Sequence, residues 1–350
     1  MASANIVVVG AGVVGLTVAL QLKRANSNYN ITIVANHLPG DKSIDYTSPI
    51  AGANWHSFAL QNELLLQKID QEGYDEFMKL SQDPKLSIWQ VDNVNYFTEH
   101  YQGERVPWFS KTVKDYEDFS ESVLPDGITS GFKFKGVIIS VPFYLQYLLL
   151  SNFDIGNQVK RVSKIKHIED ARKLHSSTNL ADYVINCSGI LVNDLKGFVD
   201  KSENFPIRGQ VVHVRNNCKV ATSVEGFTDF KDELLYIFPR KEGGTIIGGC
   251  FQENSKNSQE DPALTRRILN RALKYAPELV DPNFNNNPSD FDIVSVNVGL
   301  RPFRRDGPRI EKDTDKPWLI HAYGAGGGGY QSSYGISRIV LQLLQSTSKL

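Results

Sequence analysis

Residues 6–21 read Ile6-Val7-Val8-Val9-Gly10-Ala11-Gly12-Val13-Val14-Gly15-Leu16-Thr17-Val18-Ala19-Leu20-Gln21. The β-branched run before the glycines suits a strand buried on both faces, and the apolar run after them suits a helix. Gly10, Gly12 and Gly15 stand at the spacing that a tight turn, a close backbone approach to a pyrophosphate and helix-on-strand packing require. With Ala11, Val13 and Val14 between them they form a dinucleotide grip, because a helix N-terminus turns free N–H groups and a positive dipole end toward phosphates. The grip leaves the identity of the dinucleotide open.

Outward from this unit, Ile31-Thr32-Ile33-Val34-Ala35 is a second buried strand, which completes a βαβ opening. It ends at Asn36, where an NAD-binding unit usually carries Asp or Glu for the ribose hydroxyls. Asn36 can still hydrogen-bond a ribose, but the missing carboxylate argues against a nicotinamide cofactor. The turn-rich stretch through Ser43 and Ser48 to Gly52, Ala53 and Asn54 suits a second layer of contacts to the same ligand. Farther on, Tyr183-Val184-Ile185-Asn186 leads into Cys187-Ser188-Gly189, a strand ending in small residues, as strands do where an open sheet meets its ligand.

Helices are expected at Leu60 to Leu80, Pro142 to Leu150, Asp261 to Tyr275 and Tyr334 to Leu344, and strands at Val91 to Phe97, Phe132 to Val141 and Val159 to Ile168. From Pro206 to Gln252 the texture changes to strands joined by turns, as in an antiparallel sheet. The expected fold class is α/β: a Rossmann-like domain made of residues 1–55, 140–202 and 290–350, with a mixed, largely antiparallel β-sheet domain, 56–139 and 203–289, inserted into it. Near the end, Trp318 to Tyr323 reads as a strand and runs into Gly326-Gly327-Gly328-Gly329-Tyr330-Gln331. Consecutive glycines free a backbone from side-chain bulk, so this loop can approach a flat ligand or flex beside it.

At 350 residues the chain has room for two domains, and a hydrophobic content of 41% is ordinary for a globular protein. Its 38 basic and 39 acidic residues leave a net charge of −1, so no overall field draws nucleic acid or an anionic membrane, and neither is expected as a partner. The apolar run Val141 to Leu150 is broken by Pro142 and Gln146 and is far short of the ~20 residues that cross a bilayer. The N-terminal run enters the glycine turn directly and is not read as a signal peptide. Cys187, Cys218 and Cys250 are odd in number and lack paired spacing, which argues for reduced packing residues and against a disulfide framework or a metal site. Ser348-Lys349-Leu350 is the receptor-read peroxisomal address, so the import receptor is an expected partner and the peroxisomal matrix the expected location.

Several motifs together resemble the D-amino-acid oxidase family. They are the Gly10-Gly12-Gly15 fingerprint, Tyr46-Thr47-Ser48-Pro49 with Ala51 to Trp55, Val184 to Gly189, Pro206-Ile207-Arg208-Gly209-Gln210, Tyr236-Ile237-Phe238-Pro239-Arg240, Gly248-Gly249, Gly299-Leu300-Arg301-Pro302, and His321 through Gln331. They are collinear over essentially the whole chain, and the similarity is greatest to the yeast and fungal enzymes. The resemblance implies FAD, and hydride transfer from the α-carbon of a D-amino acid to the flavin N5. The imino acid hydrolyses to a 2-oxo acid and ammonia, and oxygen is reduced to hydrogen peroxide. A homodimer is a compatible assembly.

By the same resemblance Arg301 holds the substrate carboxylate, Tyr236 adds a hydroxyl to it, the Gly327 carbonyl receives the amino group and Gln331 stands near the flavin. Asn36, Ser43 and Val162 fall on the adenine and ribose side. A second tyrosine of many family members is replaced by Phe251, which cannot donate a hydrogen bond. Asn54, His56, Phe58 and Ser223 border the side-chain pocket. His56 could bond the second carboxylate of D-aspartate, which makes a D-aspartate oxidase the alternative; however, the arginines that mammalian D-aspartate oxidases carry here are missing at Ser223 and Phe251, so neutral D-amino acids are favoured. Alternatives of another class are a non-catalytic nucleotide-binding peroxisomal protein and a nicotinamide-dependent dehydrogenase.

Overall fold

The computed structural model describes residues 3–280 and 291–347. β1 (Ala4–Val9) leads through the glycine turn into α1 (Val13–Ala25) and β2 (Tyr29–Ala35). Ile6 and Val8 are buried in one core and Val7 and Val9 in another on the opposite face, so the strand tolerates no polar alternation. After α2 (Leu64–Leu80), β3 (Ile88–Phe97), β4 (Lys114–Asp118) and β5 (Ser130–Ile139), α3 (Val141–Asp154) begins at Pro142. β6 (Gln158–Arg161), α4 (Ile168–Ala171) and β7 (Tyr183–Asn186) follow. The next strands are β8 (Asn204–Val214), β9 (Ala221–Glu225), β10 (Glu233–Pro239), β11 (Thr245–Cys250) and β12 (Gln252–Glu253). α5 (Pro262–Tyr275), β13 (Ile293–Arg304), β14 (Arg309–Lys312), β15 (Leu319–Tyr323) and α6 (Ser333–Thr347) complete the described elements.

These strands form two sheets. The first has the order β14-β15-β7-β1-β2-β6, parallel except for the β14–β15 pair, with β1 central. This is the Rossmann-like layer; α1, α3 and α6 contribute to the core on one of its faces. The second has the order β12-β8-β11-β10-β9-β3-β5-β4 with β13 on β8, and is antiparallel except for β3–β9. α5 covers one face of it, with Leu264, Ile268 and Ala272 packed on Leu235 and Ile237. Asp261 starts this helix as its N-cap, accepting from the Ala263 and Leu264 amides at 2.9 and 3.0 Å.

Three segments differ from the sequence reading. The strand expected from Val159 to Ile168 stops at Arg161, because its ladder partner β2 ends at Ala35, opposite Arg161. The helix expected from Leu60 begins at Leu64, since Glu63 turns back on Leu60, whose amide donates to its carboxylate at 2.8 Å. Residues 293–304 pair along β8 and so belong to the second sheet, although the sequence reading groups them with the first.

Candidate active site

One cavity of about 240 Å³ runs from the glycine turn to the face of the second sheet. Gly10 has φ +110°, and its amide donates to the Val34 carbonyl at 2.9 Å. A Cβ at Gly10 would stand 2.4 Å from the Cys187 carbonyl, and one at Gly15 would stand 2.0 Å from the Gly10 carbonyl. The spacing of the two glycines is therefore demanded by backbone contact. The N-cap Gly12 brings no side chain to α1 and no acidic residue occupies the first turn, so no carboxylate of the helix offsets its positive end at the cavity.

The segment that follows β2 locks this turn. The Tyr46 hydroxyl donates to the Ala11 carbonyl at 2.7 Å, and the Val13 amide donates to Ser48 Oγ at 3.0 Å. One of the helix amides expected to be free is thus already held by Ser48. The Thr47 hydroxyl donates to the Leu300 carbonyl, and the Tyr330 hydroxyl to the Ser48 carbonyl at 2.9 Å, tying the segment to both the second sheet and the late glycines.

Most residues expected at the cofactor line this cavity, and three do not. Asn36 reaches both this cavity and a smaller recess behind it, whose wall includes Val162. Ser43 lies off both walls, its hydroxyl accepting the Asp45 amide at 3.3 Å within a turn. Gly328 faces away, toward Ser332 and Gln331. Gly326–Gly328 form a 3-10 turn, not the open loop that the run of glycines suggests. Ser188 Oγ, on the wall, is buried with no hydrogen-bond partner among the described residues. A dinucleotide fits these features: a glycine turn with little side-chain bulk, a helix N-terminus without an acidic residue in its first turn, and an orphaned hydroxyl.

At the second sheet the cavity ends on Arg301. Its Nη1 donates to the Cys250 carbonyl at 2.8 Å and its Nη2 to the Tyr236 hydroxyl at 3.3 Å. The guanidinium carbon lies 4.2 Å over the Phe251 ring, so the residue that cannot donate a hydrogen bond instead gives the cation a π face. Gly209 sits across from it, where a Cβ would fall 2.6 Å from Nη1. Among the described residues no Asp or Glu pairs with Arg301. Tyr236 is wedged against Phe238, rings 5.0 Å apart, and burial raises its hydroxyl's pKa. Gly327 borders the Arg301 side chain, since a Cβ there would lie 3.6 Å from Arg301 Cδ.

Asn54, His56, Phe58, Ser223 and Phe251 all reach the same cavity. His56 packs at 5.5 Å from the Phe109 ring, and burial lowers its pKa to about 4, which keeps the imidazole neutral. Gln331 lines the wall but turns its amide onto Asp70, 3.0 Å from Oδ2. Asp70 also accepts from Ser57 at 2.6 Å and Ser332 at 2.6 Å, and it is the residue that joins α2 to the two cavity segments. Sequence reading misses Asp70 because one acid on a long amphipathic helix carries no periodic signal. It also misses Glu225, which the alternation of β9 places on the same face as Ser223.

The fold and site together define a flavin-type oxidoreductase, with the glycine turn at one end of its cavity and Arg301 beside Tyr236 at the other. Residues 5–343 match the model of the FAD dependent oxidoreductase family, and the chain belongs to that family; its cofactor is FAD. A D-amino-acid oxidase of Fusarium vanettenii is 34% identical, over 99% of this chain and 98% of its own length. A D-aspartate oxidase of Talaromyces thermophilus is 28% identical, over 99% and 96% of the two chains. Glycine oxidase of Bacillus cereus superposes with a TM-score of 0.74 at 18% identity, over 99% of this chain and 96% of that one, which shows the shared fold.

Proposed function

We propose that the protein oxidises D-amino acids to 2-oxo acids, ammonia and hydrogen peroxide. The observation that carries this reading is the unpaired Arg301 guanidinium at the far end of the FAD cavity, beside the Tyr236 hydroxyl. Each terminal nitrogen keeps a second N–H after its bond to Cys250 or Tyr236, and that fork matches a carboxylate. With the carboxylate held there, the Gly327 carbonyl is offered to the substrate amino group, and two fixed points orient the α-carbon. Bound FAD supplies the acceptor for the α-hydrogen as hydride, with oxygen as the final oxidant. The chain's own contribution is orientation, which turns an encounter into a positioned approach.

Uncharged side chains suit the pocket better than acidic ones. Arg301 is the only Arg or Lys among the described lining residues, and it is committed to the α-carboxylate. His56 stays neutral above about pH 4 and so lacks the charge a second carboxylate would need. An oxygen-consumption panel tests this: D-alanine and D-methionine should be oxidised, D-aspartate far more slowly, and the L-forms not at all. Turnover of D-aspartate alone would replace the reading with a D-aspartate oxidase. Ser348-Lys349-Leu350 lies outside the described residues, and we read it as a peroxisomal import signal recognised by the import receptor. A fluorescent fusion should enter peroxisomes only while that tripeptide is intact and C-terminal.

A further inference from the structure

Along β9 alternate residues face opposite ways. Val224 enters the core beneath α5, while Ser223 and Glu225 both line the cavity. Ser223 is paired with Asn95 on one side and with Tyr236 on the other, and Glu225 with Phe97. Glu225 therefore stands two strand positions, about 7 Å, from the residue whose partner carries the carboxylate clamp. Leu234, the next lining residue on β10, flanks it.

The Glu225 carboxylate has no hydrogen bond or ion pair among the described residues, and its backbone carbonyl accepts the Thr98 amide at 3.1 Å. Arg105, which shares Tyr101 as an electrostatic neighbour, is held elsewhere, on Thr129 at 3.1 Å and on Ser130. Burial raises the Glu225 pKa, and no cation among the described residues counters it. His56 adds a second acceptor to this wall: its Nδ1 is buried without a partner, while Asn95 lies on the ring so as to favour its protonated form. An unpaired carboxylate and a bare imidazole nitrogen in one apolar pocket are costly unless a ligand donates to them.

We propose that Glu225 selects the substrate side chain, pairing with the cationic head of a D-amino acid of the D-lysine, D-ornithine or D-arginine type, with His56 Nδ1 as a second acceptor. The proposal rests on the D-amino-acid oxidase reading and narrows its substrate class. A flexible methylene stem carries the cation from the α-carbon to the wall.

The test compares kcat/KM for D-lysine and D-norleucine, which differ by one charged group at the chain end, in FAD-loaded wild-type protein and Glu225→Gln. Wild type should prefer D-lysine, and the variant should lower the D-lysine to D-norleucine ratio by about tenfold or more, chiefly through the KM for D-lysine. A wild-type preference for D-norleucine overturns the proposal whether or not the variant folds. So does an equal ratio in the two proteins. In both cases continued oxidation of D-norleucine leaves the D-amino-acid oxidase reading standing, whereas no turnover of any D-amino acid overturns both.

Discussion

Arg301 Nη2 lies 3.3 Å from the Tyr236 hydroxyl, a bond between β13 and β10, two strands that do not pair with each other in the second sheet. In the proposed function these two groups hold the substrate carboxylate, on the N–H groups that Arg301 keeps after its bonds to Cys250 and Tyr236. Replacing Arg301 with Ala should lower kcat/KM for D-alanine by roughly 10²- to 10³-fold, because a buried charged pair is broken. Arg301→Lys should recover only part of that, since an ammonium cannot form the two-pronged contact. Steady-state kinetics with unchanged values would place the carboxylate elsewhere.

Tyr236→Phe removes one hydroxyl while keeping the ring stacked on Phe238. The expected loss is about 10-fold in kcat/KM, mostly in KM, because the carboxylate keeps Arg301. Equal losses for Tyr236→Phe and Arg301→Ala would contradict this division of labour.

Gly15→Ala places a methyl 2.0 Å from the Gly10 carbonyl, backbone that cannot yield without moving α1 away from β1. The variant should be purified with little or no flavin absorbance and with a lowered Tm. Gly307→Ala serves as the control for a positive-φ glycine with open space around it: its φ is +75° and a Cβ there meets nothing within 4 Å. It should cost some stability and leave FAD binding intact.

Asp70 links α2 to Ser57, Gln331 and Ser332, and burial raises its pKa from 3.8 to about 6. The folded protein then holds this proton more tightly than the unfolded chain. Its stabilising contribution is complete below about pH 4 and is lost as pH rises through about 6, a change of roughly 3 kcal/mol. The Tm of wild type minus that of Asp70→Asn should therefore fall between pH 4 and pH 7. A difference independent of pH would mean that the carboxyl titrates at its ordinary value.

The glycine turn, the strand before it and the family are legible in residue order alone. Those features are local: β-branched residues buried on both faces, glycines wherever backbone touches backbone, and motifs that keep their order along the chain. Arg301 as a cavity residue was legible through the Gly-Leu-Arg-Pro motif, without its surroundings. Folding in three dimensions is what puts Phe251 under Arg301, sets Ser48 on a helix amide, and turns Ser43 and Gly328 away from the cavity. It also sets the surroundings of Asp70 and Glu225: the first is hydrogen-bonded to three side chains, the second to none among the described residues. A buried carboxylate's role depends on the groups that fold around it, and those come from distant strands and helices whose pairing no local pattern encodes.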